Sequence, residues 1–253
     1  MKMSSLALLT SAGFALSLAL CGGVQAAEIR VLSSNGVKTV LEELAPQFEK
    51  ATRHKLLLNF APAAELKAQI EKGEAFDLTI LTAAGIDDLI KQGKLVAATR
   101  SDFTRSGAGV AIKKGAAKPD LSSAEGFKRT LLAAKSIAYV GQGATGVTIN
   151  RIIERFGIAA EMKAKTIPLS GISAADAVAM GEAELGFTQI SEILPVAGAE
   201  LAGPLPPEVQ VYTVFTAAVG GNARDSAAAI SLIKFLTAPA AAPVIRAKGM
   251  EPG

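Results

Sequence analysis

The sequence has few of the residues that enzymes commonly use for catalysis or for metal binding. Its 253 residues include one cysteine, one histidine and no tryptophan. Cys21 lies in an N-terminal segment that we expect to be removed, which would exclude disulfides, thiol catalysis and thiolate metal sites from the remaining chain. His54, at a turn from helix to strand, is expected to be a solvated turn residue and not part of a Ser-His-Asp triad. No metal site or cofactor is predicted, because one histidine without carboxylates at ligand spacing cannot form a metal centre and no nucleotide-binding motif is present.

The chain also has little charge and few aromatic side chains. Charged residues make up 19% of the sequence and aromatic residues 5%, and the formal net charge is +3. Because the net charge is small and no basic patch is interleaved with aromatic residues, nucleic acid is not expected as a partner. Half of the residues are apolar. This proportion excludes disorder for most of the chain and is sufficient for a sizeable core.

The N-terminal segment has the pattern of a secretory signal. Lys2 precedes an apolar run from Leu6 to Leu20, and small residues occupy positions −3 and −1 of a cleavage site after Ala26. At about 15 residues, the run is short for a membrane anchor. A lipid-modified Cys21 is a second alternative, although the preceding leucine is larger than the residue usual there. We predict a signal peptide over residues 1–26, periplasmic localisation and no stable membrane insertion.

Apolar residues alternate between strand and helix periodicity along the rest of the chain. Strands are predicted at 27–31, 55–60 and 77–81, with a helical pattern from Val37 to the region of Pro46 and Thr52 and further helices at 64–72 and 86–92. This order is typical of a parallel sheet covered by helices on both faces. The alternation resumes after a change of pattern near residue 105. It predicts an α/β protein of two units, roughly 28–105 and 110–210, with a C-terminal part that can rejoin the first unit.

Several predicted strands pass through small or polar residues directly into a helix. These turns are at residues 33–36, 61–64, 82–85 and 143–146. In an open α/β sheet they lie at the carboxyl ends of the strands, where the exposed N–H groups of helix starts attract anions. Ordinary helix capping by serine and asparagine is the alternative. The glycines of residues 141–146 lack the spacing of a dinucleotide-binding loop.

Several segments resemble the periplasmic molybdate-binding proteins. They are residues 28–95, 105–110, 181–187 and 248–250, so the resemblance extends over essentially the whole chain after the signal. It implies a two-lobed type II periplasmic binding protein fold, in which each lobe is a sheet flanked by helices and two crossing strands join the lobes. The crossings would fall near residues 105–111 and 211–217. The implied lobes are residues 27–106 plus 216–253 and residues 107–215.

The same resemblance implies a set of ligand-binding positions. The first serine of the molybdate site corresponds to Gly36, with its neighbours in the turn, and the second corresponds to Ala64, which has no hydroxyl. The turn that donates backbone N–H groups corresponds to Thr145 and Gly146, and the family's binding tyrosine corresponds to Gln189. The implied set is Ser33, Ser34, Asn35, Gly36, Ala64, Thr145, Gly146 and Gln189.

The substitutions in this set favour an organic carboxylate over molybdate. A buried anion site that loses hydroxyl donors loses roughly 1–3 kcal/mol for each interaction. Arg105, before the predicted crossing, could instead bind a carboxylate with its planar guanidinium group, although a solvated arginine is an equal alternative. Asn35 and Gln189 offer both donors and acceptors, which suit a carboxylate with further polar groups.

The sequence therefore predicts a monomeric solute-binding protein that captures a small anion for a separate membrane permease of the ABC type. The chain is also similar to aconitate isomerase, so an isomerase acting on a small tricarboxylate is the alternative. Glu192 is the carboxylate nearest the implied site in the sequence and would be the base of that reaction. A first-turn helix residue stabilised by the helix dipole is the simpler interpretation of Glu192.

Overall fold

A computed structural model describes residues 26–169 and 171–253 of the chain. The predicted signal peptide, apart from Ala26, lies outside the described residues. The described residues contain ten strands: β1 (Glu28–Ser34), β2 (Lys55–Ala61), β3 (Leu78–Thr82), β4 (Ser101–Lys113), β5 (Ile137–Ala138), β6 (Thr166–Ile167), β7 (Leu185–Gln189), β8 (Ala199–Pro204), β9 (Tyr212–Val219) and β10 (Glu251–Pro252).

Helices flank these strands, and three of them follow a strand of the first sheet almost without a loop. Ten α-helices are described: α1 (Lys38–Thr52), α2 (Ala63–Glu71), α3 (Ala83–Lys91), α4 (Ala124–Ala133), α5 (Ala144–Phe156), α6 (Ala159–Lys165), α7 (Ala174–Met180), α8 (Ile190–Ile193), α9 (Ser226–Leu236) and α10 (Ala242–Ala247). A short 3₁₀ turn, Asn35–Val37, joins β1 to α1.

The first sheet is parallel except where the chain returns to it. β1 lies between β2 and β3 and is parallel to both. β9 lies beside β3 and is antiparallel to it, and β4 in turn lies antiparallel to β9. Because β9 comes late in the chain, the C-terminal part rejoins the first lobe, as the sequence pattern predicts.

β4 is one of the two connections between the lobes. Its first half, through Gly107, pairs with β9, and its second half, from Ala108, pairs with β7 and β8. The return segment runs alongside, since the Ala108 N–H donates to the Val211 carbonyl at 3.3 Å. The predicted fold class, two lobes joined by two crossing segments, is therefore confirmed. The predicted lobe boundaries, at 106/107 and 215/216, stay a prediction.

Each lobe has its own hydrophobic core. In the first lobe α1 and α9 pack on β1, β3 and β9, and Val40, Leu41, Leu44 and Phe48 lie on the buried face of α1. In the second lobe Phe127 packs edge to face against Phe187, with ring centroids 5.8 Å apart. The buried face of α1 matches the apolar spacing in the sequence, because residues three and four apart share one side of a helix.

Some predicted elements differ from the structure. Pro46 lies inside α1, which continues to Thr52, because the buried apolar face on both sides of the proline holds the helix in place. α6 follows residue 157 without having been predicted. The Gly/Pro-rich stretch after residue 197 contains β8, an unpredicted strand that pairs with β4. Its hydrogen bonds come from a segment about 90 positions away, so local composition does not indicate it.

His54 is buried, whereas the sequence analysis predicts a solvated turn residue. Its side chain is 5% exposed, its Nδ1 accepts a hydrogen bond from the Ala27 N–H at 3.0 Å, and its ring stacks on Phe48 with centroids 5.9 Å apart. The expectation was wrong because β1 and β2 are parallel neighbours, which brings Ala27 next to the start of β2. His54 therefore helps to anchor the first residues of the fold.

No single helix within residues 26–169 and 171–253 is both long and apolar enough to cross a membrane. Within the part of the chain that the structure describes, one pair, α9 and the segment Pro239–Ala247, reaches the required length and composition together, and these two are bent by 56° at their junction.

Candidate functional site

The end of β1 and the turn that follows it contain four of the predicted ligand-binding residues. Ser33 and Ser34 are buried, and the Ser34 Oγ accepts a hydrogen bond from the Gly36 N–H at 3.4 Å. Asn35 is exposed. A Cβ on Gly36 would lie 2.3 Å from Cζ of Phe215, so a larger residue at this position would force the turn or the Phe215 ring to shift.

A second turn leads into α5 from the other lobe. α5 begins after Gly143, and no side chain caps its first turn. Thr145 is buried in that turn, and a Cβ on Gly146 would lie 1.9 Å from the Val140 carbonyl oxygen. Glycine therefore lets the helix start pack closely on the preceding strand segment. The uncapped N–H groups and the helix dipole make this end of α5 attractive to an anion.

Gln189 connects this helix start to the strand that returns to the first lobe. It is the last residue of β7, and its side chain is 5% exposed. Its Nε2 donates hydrogen bonds to the Oγ1 of Thr145 at 2.8 Å and to the Oγ1 of Thr213 at 3.0 Å. Its Oε1 is buried at the start of α8. The amide thus brings together α5, β7 and β9.

Two buried serines link α8 to the first turn. The Ser191 Oγ donates a hydrogen bond to the Gly36 carbonyl oxygen at 2.8 Å, and the Ser106 Oγ lies 3.5 Å from the Ser191 Oγ. The turn after β1 and the α8 segment, which belong to different lobes, are therefore in direct contact.

The structure therefore adds residues that the sequence reasoning missed: Ser106, Ser191, Thr213 and Phe215. Ser191 lies beside the predicted Gln189, but the other three lie within strands. Serine, threonine and phenylalanine are ordinary strand residues. Only strand pairing shows that they face the site.

Glu192 completes the first turn of α8. Its Oε2 accepts hydrogen bonds from the Thr188 hydroxyl and, at 3.3 Å, from the Gln189 N–H, in a capping-box arrangement. Burial raises the pKa of the Glu192 carboxyl, while these two hydrogen bonds act in the opposite direction. Burial therefore makes the charged form of the Glu192 carboxyl less favourable than it is in an exposed glutamate.

Two predicted residues lie apart from the Gln189 contacts. Arg105 is half exposed, its Nε donates to the Glu251 Oε2 at 2.7 Å, and its guanidinium group lies 5.2 Å from the Tyr212 ring centroid. Ala64 is exposed in the first turn of α2, which no side chain caps. Neither side chain makes a hydrogen bond to the Gln189 group within the described residues, so their roles in binding stay predictions.

The groups that converge are mainly neutral hydrogen-bond donors and acceptors. They are hydroxyls, one amide and backbone groups at helix starts, contributed by both lobes. Among the residues that the structure describes, no three potential metal ligands lie close enough to hold an ion. Neutral hydrogen-bond donors and helix dipoles can bind an anion without a positively charged side chain.

Comparisons with known proteins agree with this architecture. The sequence model of the family described as bacterial extracellular solute-binding protein matches residues 29–251. The chain is 33% identical to an aconitate isomerase from a Pseudomonas species over 232 residues, covering 88% of this chain and 87% of the relative. It is 28% identical to the molybdate-binding protein ModA of Azotobacter vinelandii over 233 residues, covering 89% and 90%.

A solved structure shares the fold. The periplasmic molybdate-binding protein of Azotobacter vinelandii superposes with a TM-score of 0.75 at 22% identity, and the match covers 89% of this chain and 99% of that protein. The family match extends over nearly all of the described residues, and the relatives align along most of their length. The chain belongs to the family of bacterial extracellular solute-binding proteins.

Proposed function

We propose that the protein captures a small anion between its two lobes and presents it to the permease of an ABC transporter. The observation that carries the proposal is that the two lobes meet beside the start of α8, where the Ser191 hydroxyl donates to the Gly36 carbonyl oxygen and the Gln189 amide donates to Thr145 at the start of α5. Donors from both lobes can close around one ligand only where such elements meet. The family match supports a binding protein that acts outside the cytoplasm.

Among small anions, we propose an organic carboxylate in preference to molybdate. Ala64 supplies no hydroxyl, and Gln189 stands where the resemblance implies a tyrosine. The curated relatives support either class, since one is named for aconitate and the other for molybdate. Calorimetric titration of the purified protein with molybdate, sulfate, succinate, citrate and both aconitate isomers tests the proposal. Binding of a carboxylate that is tighter than that of molybdate supports it. Tighter binding of molybdate than of every carboxylate would contradict the proposed ligand class. If no anion binds at millimolar concentration, the proposed function as an anion-binding protein is wrong.

Arg105 is part of the proposal as a carboxylate partner. Its Nη1 makes no hydrogen bond within the described part of the chain, and its side chain is half exposed. Arg105→Ala should weaken carboxylate binding by more than about tenfold if the guanidinium group pairs with the ligand. Glu251→Gln is the matched control, because it breaks the same ion pair but keeps the guanidinium group. If both variants and the wild type bind the carboxylate with equal affinity, Arg105 does not contact the ligand.

Isomerisation of a small tricarboxylate is the second candidate, favoured by the 33% identity to an aconitate isomerase. The reaction takes a proton from a carbon beside one carboxylate and returns a proton to another carbon as the double bond shifts. Glu192 could accept the proton, because burial raises the pKa of its carboxyl towards the neutral range where general bases work best. Neutral donors and the start of α5 would stabilise the delocalised carbanion.

Incubation of the purified protein with cis- or trans-aconitate, followed by chromatography, separates the two candidates. Interconversion that disappears in Glu192→Gln while aconitate binding is retained would establish the enzyme. Tight aconitate binding without interconversion over hours would support the binding protein and not the isomerase.

We further propose that residues 1–26 are removed on export to the periplasm and that the protein is a monomer. Mass spectrometry and light scattering of the exported protein test these two points.

A further inference from the structure

The first strand is attached to β2 through the backbone of the residue that precedes it, Ala27. The Ala27 carbonyl oxygen accepts a hydrogen bond from the Lys55 N–H at 2.8 Å. The Ala27 N–H donates to Nδ1 of His54 at 3.0 Å. Ala26, one position earlier, is exposed. Both backbone polar groups of Ala27 are therefore anchored at the start of β2.

The His54 ring is held in place by contacts that do not involve Ala27. Its side chain is 5% exposed, and the ring stacks on Phe48 with an angle of 22° between the two planes. The His54 N–H donates to the Thr52 Oγ1 at 3.3 Å, and Arg53 adopts a left-handed conformation with a φ of 65° at the end of α1. Because these contacts belong to α1 and the turn after it, Nδ1 is presented as an acceptor whether or not other residues precede Ala27.

Ala27 is also the residue that would follow the predicted cleavage site. Cutting after Ala26 converts the Ala27 N–H from an amide into a primary amine. A neutral imidazole accepts a hydrogen bond from either group, and the remaining amine hydrogens can reach water because Ala27 is only partly buried. A chain that begins at Glu28 would lack this donor, and one that begins at Ala26 would carry its amine one residue beyond His54.

We infer that His54 is the docking site for the amino terminus that signal removal creates, with the α-amine of Ala27 donating to Nδ1. This inference rests on the proposed removal of residues 1–26 and gives the position of the cut a structural role. An amine bound in this way has to leave His54 before an acylating reagent or an aminopeptidase can act on it. The hydrogen bond therefore protects the terminus of the mature protein.

Chemical labelling of the terminal amine tests the inference. Two proteins, one beginning at Ala27 and one at Ala26, are treated with limiting acetic anhydride at neutral pH, and mass spectrometry of the N-terminal peptide gives the labelling rate. Each rate is divided by the rate in urea, which removes differences in intrinsic reactivity. The Ala27 amine should react about three- to tenfold more slowly than the Ala26 amine, the factor expected for one hydrogen bond. Equal rates overturn the inference.

Variants of His54 assign the protection to its Nδ1. His54→Phe keeps a ring that stacks on Phe48 but removes the acceptor, so the Ala27 amine should become as reactive as the Ala26 amine. His54→Asn places an acceptor oxygen close to the position of Nδ1 and should retain part of the protection. Protection that persists in a folded His54→Phe protein, as judged by thermal unfolding, overturns the role of His54. An exported protein that begins at another residue overturns the proposed cleavage and the inference together, whereas one that begins at Ala27 with an unprotected amine overturns the inference alone.

Discussion

Ser191 donates a hydrogen bond of 2.8 Å to the backbone carbonyl of Gly36, 155 positions earlier in the chain. The bond connects the first turn of α8 in one lobe to the turn after β1 in the other. A net contribution of about 0.5–1.5 kcal/mol is typical of such a bond. Because it joins the two lobes, its energy contributes to holding them together and not to the fold of either lobe.

Ser191→Ala should therefore weaken ligand binding by about three- to tenfold with little change in thermal stability, because it destabilises closure rather than folding. Titration calorimetry measures the affinity, and small-angle scattering with and without ligand measures the closure. Ser231→Ala is the control, because its hydroxyl also donates to a backbone carbonyl, at 2.7 Å, but within α9. Equal loss of affinity in both variants would contradict this role for Ser191.

Gly36→Ala should destabilise the protein by about 1–3 kcal/mol, because the new methyl group would lie 2.3 Å from the Phe215 ring. Chemical unfolding measures the loss. The double variant Gly36→Ala with Phe215→Leu should recover part of it, since the smaller side chain makes room. Gly141→Ala serves as the control because nothing lies within 4 Å of the added Cβ. A Gly36 variant as stable as the Gly141 variant would show that the turn can move away from β9.

Asp77→Asn should destabilise the first lobe by about 1–3 kcal/mol. Asp77 is buried, and its two carboxylate oxygens accept hydrogen bonds from the Arg30 N–H at 2.8 Å and from the Arg224 N–H at 2.7 Å. An asparagine amide group has only one acceptor oxygen, so one backbone N–H would lose its partner. Thermal unfolding measures the effect, and Asp88→Asn, at an exposed position, should be nearly neutral. Similar melting temperatures for the two variants would contradict the prediction.

Glu192 should make the folded state less stable as the pH rises above the usual range of a glutamate. Its pKa in the folded state is raised above the reference value of 4.5, chiefly by burial, so between those two values the folded state binds more protons than the unfolded state. Stability then falls with increasing pH across that window. Melting temperatures of wild type and Glu192→Gln should diverge there, with the variant gaining relative stability as the pH rises. Glu74→Gln, at an exposed position, should follow the wild type, and parallel curves for all three proteins would contradict the prediction.

Local sequence patterns determined most of the α/β architecture. The helix predicted at 64–72 is offset by one residue from α2, and the predicted strand at 55–60 is one residue shorter than β2. These elements follow from the spacing of apolar residues and from nearby glycine and proline, which act over one or two turns of chain. The resemblance to periplasmic binding proteins supplied the two-lobed arrangement, because motifs along the whole chain carry it.

The partners of the site residues were decided by the tertiary structure. Gln189 was predicted from its position in a motif, but its contact with Thr213 depends on β9 returning to the first sheet. The burial of His54 depends in the same way on the pairing of β1 with β2. Local periodicity determines which face of a strand is buried, whereas the residues that meet across two strands depend on sheet order and register. Sheet order and register are fixed by the packing of the whole chain. The sequence by itself therefore determined the helices and strands, whereas the tertiary structure determined which residues meet in the site.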